Sequence, residues 1–228
     1  MDDRRIRSFG RVNGRGVLTK YGHYIANVIP SECIQIDNKV KYLDVHSLFS
    51  NDNDVCVEIG SGYGETIISL ANSDKKTNFI ACEVYSKGLI NIIKSKEQYG
   101  LDNLEIFNGD ARKLLDNIND ASITKVLLLF PDPWPKKRHN KRRIVNEEFL
   151  LLLSRKIVSG GSLVFASDLD DYVQWTLDLI DNTGLFKHGI MCAVDHTMEP
   201  LWWVKTKYQM KAISDHRTCQ FFEFINAN

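Results

Sequence analysis

The chain contains 228 residues, of which 43% are hydrophobic and 25% charged, and its 29 basic side chains equal its 29 acidic ones in number. This composition excludes a disordered chain and indicates one globular domain with a substantial core. The odd number of cysteines, without a Cys-x-x-Cys pair, indicates neither a disulfide framework nor a metal site. No apolar run approaches transmembrane length and the N-terminus has no signal-peptide core, so we expect a cytoplasmic protein without a metal or a membrane partner.

The basic side chains are unevenly distributed along the chain. Residues 1–20 carry five arginines and Lys20 together with three glycines. We predict that this segment is a flexible basic arm and that residues 21–228 form a single domain. A second cluster, residues 136–143, holds six lysines and arginines in eight positions, so it is the main candidate for binding phosphate groups.

Strands and helices alternate from residue 54 onward, after one weak helix near 42–49. Strands are predicted at 55–59, 79–83, 104–107, 125–130 and 162–166. Helices are predicted at 65–72, 86–98, 111–117, 146–158 and 170–182, with Gly160-Gly161 as the stop signal of the fourth. Two further strands are predicted at 189–194 and 217–225. The pattern favours an α/β fold with a mainly parallel, seven-stranded sheet and helices on both faces.

Acidic residues and glycines stand where the first three strands end, which is where ligands bind in parallel sheets. These residues are Glu58, Gly60, Gly62, Gly64, Glu83, Asp110 and Ala111. The glycine loop lets the backbone approach a ligand, and its spacing differs from the Gly-x-Gly-x-x-Gly that holds a pyrophosphate. Glu58, before the glycines, suits an ammonium group or its waters. Glu83 can accept hydrogen bonds from ribose hydroxyls, and Asp110 can accept one from an adenine amino group. Each acid taken singly could be solvated or cap a helix, but together they favour S-adenosylmethionine over a nicotinamide cofactor.

The strand at 125–130 ends at Pro131-Asp132-Pro133-Trp134-Pro135, where three prolines in five residues stiffen the backbone. A carboxylate and an indole are thus held at the mouth of a strand. If the methyl acceptor is N7 of a guanine, that atom carries a lone pair and no proton. Its attack on a sulfonium methyl then needs positioning rather than a general base. Asp132 could hold guanine through its N1–H and amino donors or steer the sulfonium, and Trp134 could stack on the base. The alternative is a loop-capping Asp132 beside a core Trp134.

These motifs resemble the bacterial tRNA (guanine-N7)-methyltransferases. The resemblance rests on Arg7-Ser8-Phe9, Leu18-Thr19-Lys20, Glu58-Ile59-Gly60, Glu83–Ser86, Asp110-Ala111, Phe130–Trp134, residues 136–143, Asp168 and Thr206-Lys207. It implies a Rossmann-like class I methyltransferase fold. It also implies transfer of a methyl group from S-adenosylmethionine to N7 of a guanine in the variable loop of tRNA. The sequence leaves open whether the protein is a monomer or a homodimer.

The resemblance also implies roles for individual residues. Asp132 would be catalytic, and it would contact the cofactor together with the residues named above at the first three strand ends. The target nucleotide would meet Lys136, Asp168, Thr206, Lys207, Tyr208 and Gln209, and RNA would meet Arg138, His139, Asn140, Lys141, Arg142 and Arg143. The family's usual Thr-Lys-Phe-Glu appears here as Thr206-Lys207-Tyr208-Gln209, so an amide replaces a carboxylate.

Three other functions compete with this one. A small-molecule methyltransferase would explain the acids at the strand ends but not residues 136–143. A catalytically silent RNA-binding protein on the same fold would explain the basic cluster, and the change at Gln209 is consistent with it. A nicotinamide-dependent dehydrogenase is the third.

Overall fold

In the computed structural model, residues 5–10, 12–14, 16–37, 42–190 and 195–228 are described. They form one sheet of seven strands: β1 Asp54–Ile59, β2 Thr77–Glu83, β3 Leu104–Asn108, β4 Ile123–Leu129, β5 Ile157–Ser167, β6 Phe186–His188 and β7 Gln220–Asn226. The strand order is β3-β2-β1-β4-β5-β7-β6. The first five strands are parallel, and β7 runs antiparallel to both β5 and β6. The predicted mainly parallel sheet is confirmed.

The helices of the described residues follow the predicted alternation after β1. The chain enters through α1 Val17–His23, a π-helical segment Tyr24–Val28, α2 Ile29–Glu32 and a 3-10 helix Val45–Leu48. The later helices are α3 Glu65–Ser73, α4 Ser86–Tyr99, α5 Ala111–Asn117, α6 Glu147–Lys156, α7 Asp170–Thr183 and α8 Lys207–Ser214. A second 3-10 helix, Lys137–Arg142, lies between β4 and α6. No helix in this part of the chain combines the length and apolar character needed to cross a membrane.

The core lies on both faces of the sheet because successive strand side chains point to opposite sides. On one face, Val57 and Val126 pack with residues of α5, α6 and α7, such as Leu114 and Leu150. On the other face, Ala81 and its neighbours pack with buried residues of α2, α3 and α4. The predicted placement of helices on both faces is confirmed.

The prediction that Gly160-Gly161 ends a helix is wrong. Helix α6 ends at Lys156 and β5 begins with the next residue, Ile157, which is buried and pairs with Ile123. Both glycines therefore lie inside β5. A β-carbon at Gly161 would lie 2.7 Å from the Thr124 carbonyl oxygen of the neighbouring strand, so glycine lets the two strands approach closely.

The tail and the N-terminal region also differ from the prediction. The short strand before β7 lies at Phe186–His188 rather than 189–194, and residues 191–194 lie outside the described residues. Helix α8 and the helical segment over Val17–Glu32 were not predicted. Both are short amphipathic or kinked segments whose packing partners come from distant parts of the chain, so local periodicity does not reveal them.

The topology decides where a ligand can bind. From β1 the chain proceeds through α3 to β2 and then through α4 to β3, toward one edge of the sheet. From β4 it proceeds through α6 to β5, toward the other edge. The loops that follow β1 and β4 therefore diverge and leave a crevice at the carboxyl ends of these neighbouring strands.

Candidate functional site

A cavity of about 430 Å³ lies at this crevice. Three of the acids predicted for the site, Glu83, Asp110 and Asp132, line it together with Gly60 and Gly62. Other parts of its wall are Ser8, Phe9, Gly10, Tyr63, Tyr85, Ala111, Leu128, Ile144 and Tyr208. The structure thus brings residues from seven separate segments of the sequence to one site.

The glycine loop after β1 is held by the carboxylate that ends β2. The backbone has positive φ at all three glycines, +77° at Gly60, +57° at Gly62 and +80° at Gly64, a conformation that side chains other than glycine rarely adopt. Glu83 accepts hydrogen bonds from the backbone amides of Gly62 at 2.5 Å, Val84 at 2.6 Å and Tyr85 at 2.8 Å. Burial raises the pKa of the Glu83 carboxyl, and these three amides partly oppose that rise.

A fourth glycine, Gly88 in α4, allows the helix to pack against this loop. A β-carbon at Gly88 would lie only 1.9 Å from the carbonyl oxygen of Gly62, which no real contact tolerates. The glycine loop and the first turn of α4 are therefore in direct backbone contact. Sequence reasoning missed Gly88, because a glycine inside a helical pattern gives no sign of what approaches it.

Glu58 lies beside the cavity rather than in its lining. Its side chain is 4% exposed and is directed to the face of the sheet covered by α3, and its Oε2 atom has no hydrogen-bond partner among the described residues. Burial, together with the nearby carboxylates of Glu83 and Glu65, raises the pKa of Glu58 to about 8, although the Ser61 hydroxyl opposes this. At neutral pH the side chain is mainly protonated.

Asp110 caps the first turn of α5 and forms a buried ion pair with Arg112. Its Oδ1 accepts from the Arg112 backbone amide at 3.1 Å, and its Oδ2 accepts from Nη2 of the same residue at 2.5 Å. Burial would raise the pKa of Asp110, but the hydrogen bonds and charge of Arg112 outweigh it and hold the pKa below its usual value. Arg112 also donates to the Ile6 carbonyl at 3.1 Å. Sequence reasoning missed this arginine, which its position two residues after a strand-end acid could have indicated.

The proline-rich loop after β4 holds Asp132 at the mouth of the cavity. Phe130 and Trp134, which flank the loop, have positive φ of +50° and +45°, so the backbone is strained at both ends of it. Asp132 Oδ2 accepts from the Gly10 amide at 2.7 Å, and Trp134 Nε1 donates to the Ser8 carbonyl at 3.0 Å. Burial raises the pKa of Asp132, while the Gly10 amide and the charge of Arg7 oppose the rise.

The N-terminal residues therefore contribute to the site. Besides the contacts of Ser8 and Gly10, Arg5 forms an ion pair with Asp116 at 2.7 Å and the Val12 carbonyl accepts from the Ser86 amide at 3.0 Å. These contacts show where the segment lies. That residues 1–20 are flexible, and that residues 21–228 form one domain, stay predictions.

The basic cluster is divided by burial. Lys136, Arg138 and Lys141 are exposed, and Arg142 places its guanidinium 4.8 Å from the centre of the Trp134 ring. His139 contacts the same ring edge-on at 6.0 Å, and Asn140 is half-buried beside it. The short helix Lys137–Arg142 thus presents positive charge next to the Asp132 loop.

Arg143 does not belong to this exposed surface, and that it contacts RNA stays a prediction. It is 2% exposed, donates to the Pro133 carbonyl at 3.0 Å and forms an ion pair with Asp171 at the start of α7. Its guanidinium also packs on the rings of Tyr172 and Trp175, at 4.8 and 5.2 Å. Arg143 anchors the proline-rich loop to α7 from within the fold, because its side chain points inward from the end of the 3-10 helix.

Of the four residues 206–209, two face the site. Tyr208 lines the cavity, and Lys207 holds its ammonium group 4.0 Å from the centre of the Tyr63 ring. Thr206 is buried and caps α8, accepting from the Gln209 amide at 3.2 Å.

Gln209 is 2% exposed and does not line the cavity. Its side chain accepts from Trp203 Nε1 at 2.7 Å and donates to Glu199 at 2.5 Å. Asp168, the remaining residue predicted to meet the nucleotide, accepts from Arg217 at 2.7 Å. Gln209 therefore links the half-buried indole of Trp203 to the exposed carboxylate of Glu199. A buried amide whose oxygen and nitrogen both have partners is satisfied within the fold.

Among the described residues, no group of three or more histidine, cysteine, aspartate and glutamate side chains could hold a metal ion. The acids of the site are instead bonded to backbone amides and to Arg112. This arrangement suits a ligand with hydrogen-bond donors and a positive charge.

Comparison with known proteins agrees with this geometry. The Methyltransf_4 family of methyltransferases matches residues 52–221. A tRNA (guanine-N(7)-)-methyltransferase of Wolbachia pipientis is 35% identical over 181 residues, covering 78% of each chain. One of Agrobacterium fabrum is 33% identical over 229 residues, covering 98% of each chain. The crystal structure of the aminoglycoside resistance methyltransferase NpmB1 superposes with a TM-score of 0.57 at 15% identity, covering 85% of this chain and 95% of that one, so it shares the class I methyltransferase fold. The chain belongs to the tRNA (guanine-N(7)-)-methyltransferase family.

Proposed function

We propose that this protein transfers a methyl group from S-adenosylmethionine to N7 of a guanine in the variable loop of tRNA. The observation that carries the proposal is the position of Asp132. Its loop borders, on one side, the cavity that contains the glycine loop and, on the other, the positively charged helix Lys137–Arg142. One carboxylate is thus adjacent to both the candidate donor site and the candidate RNA surface.

The residues of the cavity fit S-adenosylmethionine. The glycine loop exposes backbone at the end of β1, and the buried oxygen of Glu58 that has no partner among the described residues suits a water that bridges to the donor's ammonium group. Glu83 already accepts three amide hydrogen bonds, which leaves about one acceptor position for a ribose hydroxyl. Asp110 is fixed by Arg112 at the wall that would meet the adenine. When bound, the donor supplies an electrophilic methyl group on a positively charged sulfur.

The protein's own task at the acceptor is to position and dehydrate guanine, because N7 has a free lone pair and loses no proton. Asp132 can accept from the N1–H and amino group of guanine once its Oδ2 atom exchanges the Gly10 amide for the base. The stiff loop and the Trp134–Ser8 hydrogen bond hold this carboxylate in place. The family's pattern has a carboxylate at position 209, where this chain has Gln209. Glu199, which accepts a hydrogen bond from the Gln209 side chain, supplies an exposed carboxylate close to that position.

Exposed cations beside the cavity are suited to the phosphates of tRNA. Lys136, Arg138 and Lys141 point to solvent, and Arg142 is adjacent to the Asp132 loop through Trp134. A small-molecule methyltransferase would leave this surface without a function. The relatives' names, which specify tRNA and guanine N7, support the same choice.

The proposal is tested by incubating the protein with radiolabelled S-adenosylmethionine and unmodified tRNA, followed by nucleoside analysis. We expect label in 7-methylguanosine, and we expect Asp132→Asn to abolish transfer while tRNA affinity is retained. The matched control is Asp52→Asn, an exposed acid just before β1 and thus at the amino ends of the strands, away from the cavity, which should behave like the parent protein. Label in another nucleoside would overturn the base assignment. Binding of both substrates without transfer would favour the silent RNA-binding alternative.

A further inference from the structure

A second cavity, of about 260 Å³, lies between the N-terminal helix α1 and helix α4. Its described lining residues are Tyr21, Tyr63, Lys87, Ile90, Asn91 and Lys94, and we call it the tyrosine–lysine groove. Tyr63 also lines the main cavity, so the two cavities are adjacent. None of the described lining residues is acidic.

The groove combines aromatic walls with positive charge. Tyr21 and Tyr63 are half-buried, and buried Ile90 forms the floor. Lys87, Asn91 and Lys94 follow one another at spacings of four and three residues, which places them on one face of α4. The groove is therefore a concave surface with flat rings and two ammonium groups.

Cation–ring contacts surround the groove. Lys94 lies 4.8 Å from the centre of the Tyr24 ring, Lys20 lies 5.3 Å from that of Tyr21, and Lys207 lies 4.0 Å from that of Tyr63. Asn91 donates to the Tyr63 carbonyl at 2.8 Å and so ties the tyrosine's loop to α4. Alternating rings and cations are the combination with which proteins bind single-stranded nucleic acid, through stacking on the rings and contacts to phosphate.

The groove and the helix Lys137–Arg142 flank the main cavity on opposite sides. The groove adjoins α4, which connects β2 to β3, whereas Lys137–Arg142 follows β4. An RNA strand that places a base in the main cavity can therefore extend over positive charge in both directions. A merely solvated helix face would account for the lysines but not for the tyrosine walls or for the position next to the main cavity.

We propose that the tyrosine–lysine groove binds a nucleotide next to the target guanine in the same RNA strand. Its base stacks on Tyr21, since the Tyr63 ring is already in contact with Lys207, and its phosphate contacts Lys87 and Lys94. The proposal rests on the proposed function, since it assumes that RNA is the substrate.

The first test compares two variants that remove the same amount of charge. Lys87→Ala/Lys94→Ala alters the groove. Lys76→Ala/Lys187→Ala alters two exposed lysines, one just before β2 at the amino ends of the strands and one in edge strand β6. Affinity for unmodified tRNA is measured against salt concentration. We expect the groove variant to bind more weakly and to lose about one to two units of the slope of log K against log salt, and the control to match the parent. Equal behaviour of the two variants would overturn the proposal.

The second test concerns stacking. Tyr21→Ala should weaken tRNA binding about five- to a hundredfold, the loss expected for one base–aromatic stack, while Tyr21→Phe should retain it.

A photo-crosslinking residue at position 94 should label a nucleotide adjacent to the methylated guanine. Labelling of a distant part of the tRNA, or no labelling, contradicts the proposal. If the parent protein methylates tRNA and the groove variants match their controls, the groove proposal is disproved and the proposed function stands. Parent protein that neither binds nor methylates tRNA disproves the proposed function.

Discussion

The most direct test of the electrostatics of the site is the substitution Glu58→Gln. The carboxyl of Glu58 is buried, and its pKa is raised from an ordinary value of 4.5 to about 8. Gln has the same shape and carries no charge at any pH. The substitution therefore removes one ionisable group without creating a cavity.

The raised pKa fixes the sign of the pH effect. Between pH 4.5 and about 8 the unfolded chain releases the proton of Glu58 while the folded protein keeps it, so stability falls as the pH rises through this window. Each pH unit changes the free energy of unfolding by about 1.4 kcal/mol for such a group. From pH of about 5.5 to about 7.5 the parent protein should thus lose about 3 kcal/mol that Glu58→Gln does not lose.

The assay is urea denaturation of both proteins at the two pH values, without S-adenosylmethionine. We expect Glu58→Gln to be more stable than the parent by about 1.4 kcal/mol at the lower pH, which is one unit above the ordinary pKa, and by about 4 kcal/mol at the higher one. A difference between the two proteins that is the same at both pH values would refute the reasoning. It would mean that Glu58 is solvated or paired when ionised.

Two other predictions follow from contacts in the site. Arg143→Ala should lower the free energy of unfolding by about 2 kcal/mol, because it removes the hydrogen bonds and the packing of a buried cation. Arg142→Ala should leave stability unchanged and weaken tRNA binding. Thermal melts and tRNA titrations that gave the reverse result would contradict the division of the cluster by burial. Gly88→Ala should weaken S-adenosylmethionine binding at least about tenfold, as measured by calorimetry. The added methyl group would displace the Gly62 carbonyl, and strain of this kind costs about 1–3 kcal/mol. An unchanged affinity would show that the glycine loop does not contact the donor.

The alternation of apolar strands with amphipathic helices was enough to predict five parallel strands and the helices between them. Val55–Ile59 and Ser162–Ala166 are buried on both sides, so their local composition and their environment in the sheet agree. The helix before Glu32, helix α8 and the extension of β5 through Gly160-Gly161 were not predicted. Their stability depends on partners far away in the sequence, such as the strand β4 that runs beside β5.

The residues of the site divide in the same way. Glu83, Asp110 and Asp132 could be assigned to one cavity from the sequence, because the ends of parallel strands meet at one edge of a sheet. Which group each acid already contacts was decided only by tertiary structure: backbone amides for Glu83, and the Gly10 amide for Asp132. No local pattern relates residue 10 to residue 132.

Charge shows the limit of sequence most clearly. The run Lys136–Arg143 reads as one cationic surface, yet Arg143 is buried beneath it while its neighbour Arg142 lies against Trp134. Similarly, Gln209 stands at a position where the family has a carboxylate, and only the fold reveals that Glu199 reaches it. Residue types and their periodicity determined the sheet and the candidate acids, because these follow from hydrophobic pattern and strand ends. The direction in which each side chain points, and hence its partners and protonation, was decided by packing between segments that are distant in the sequence.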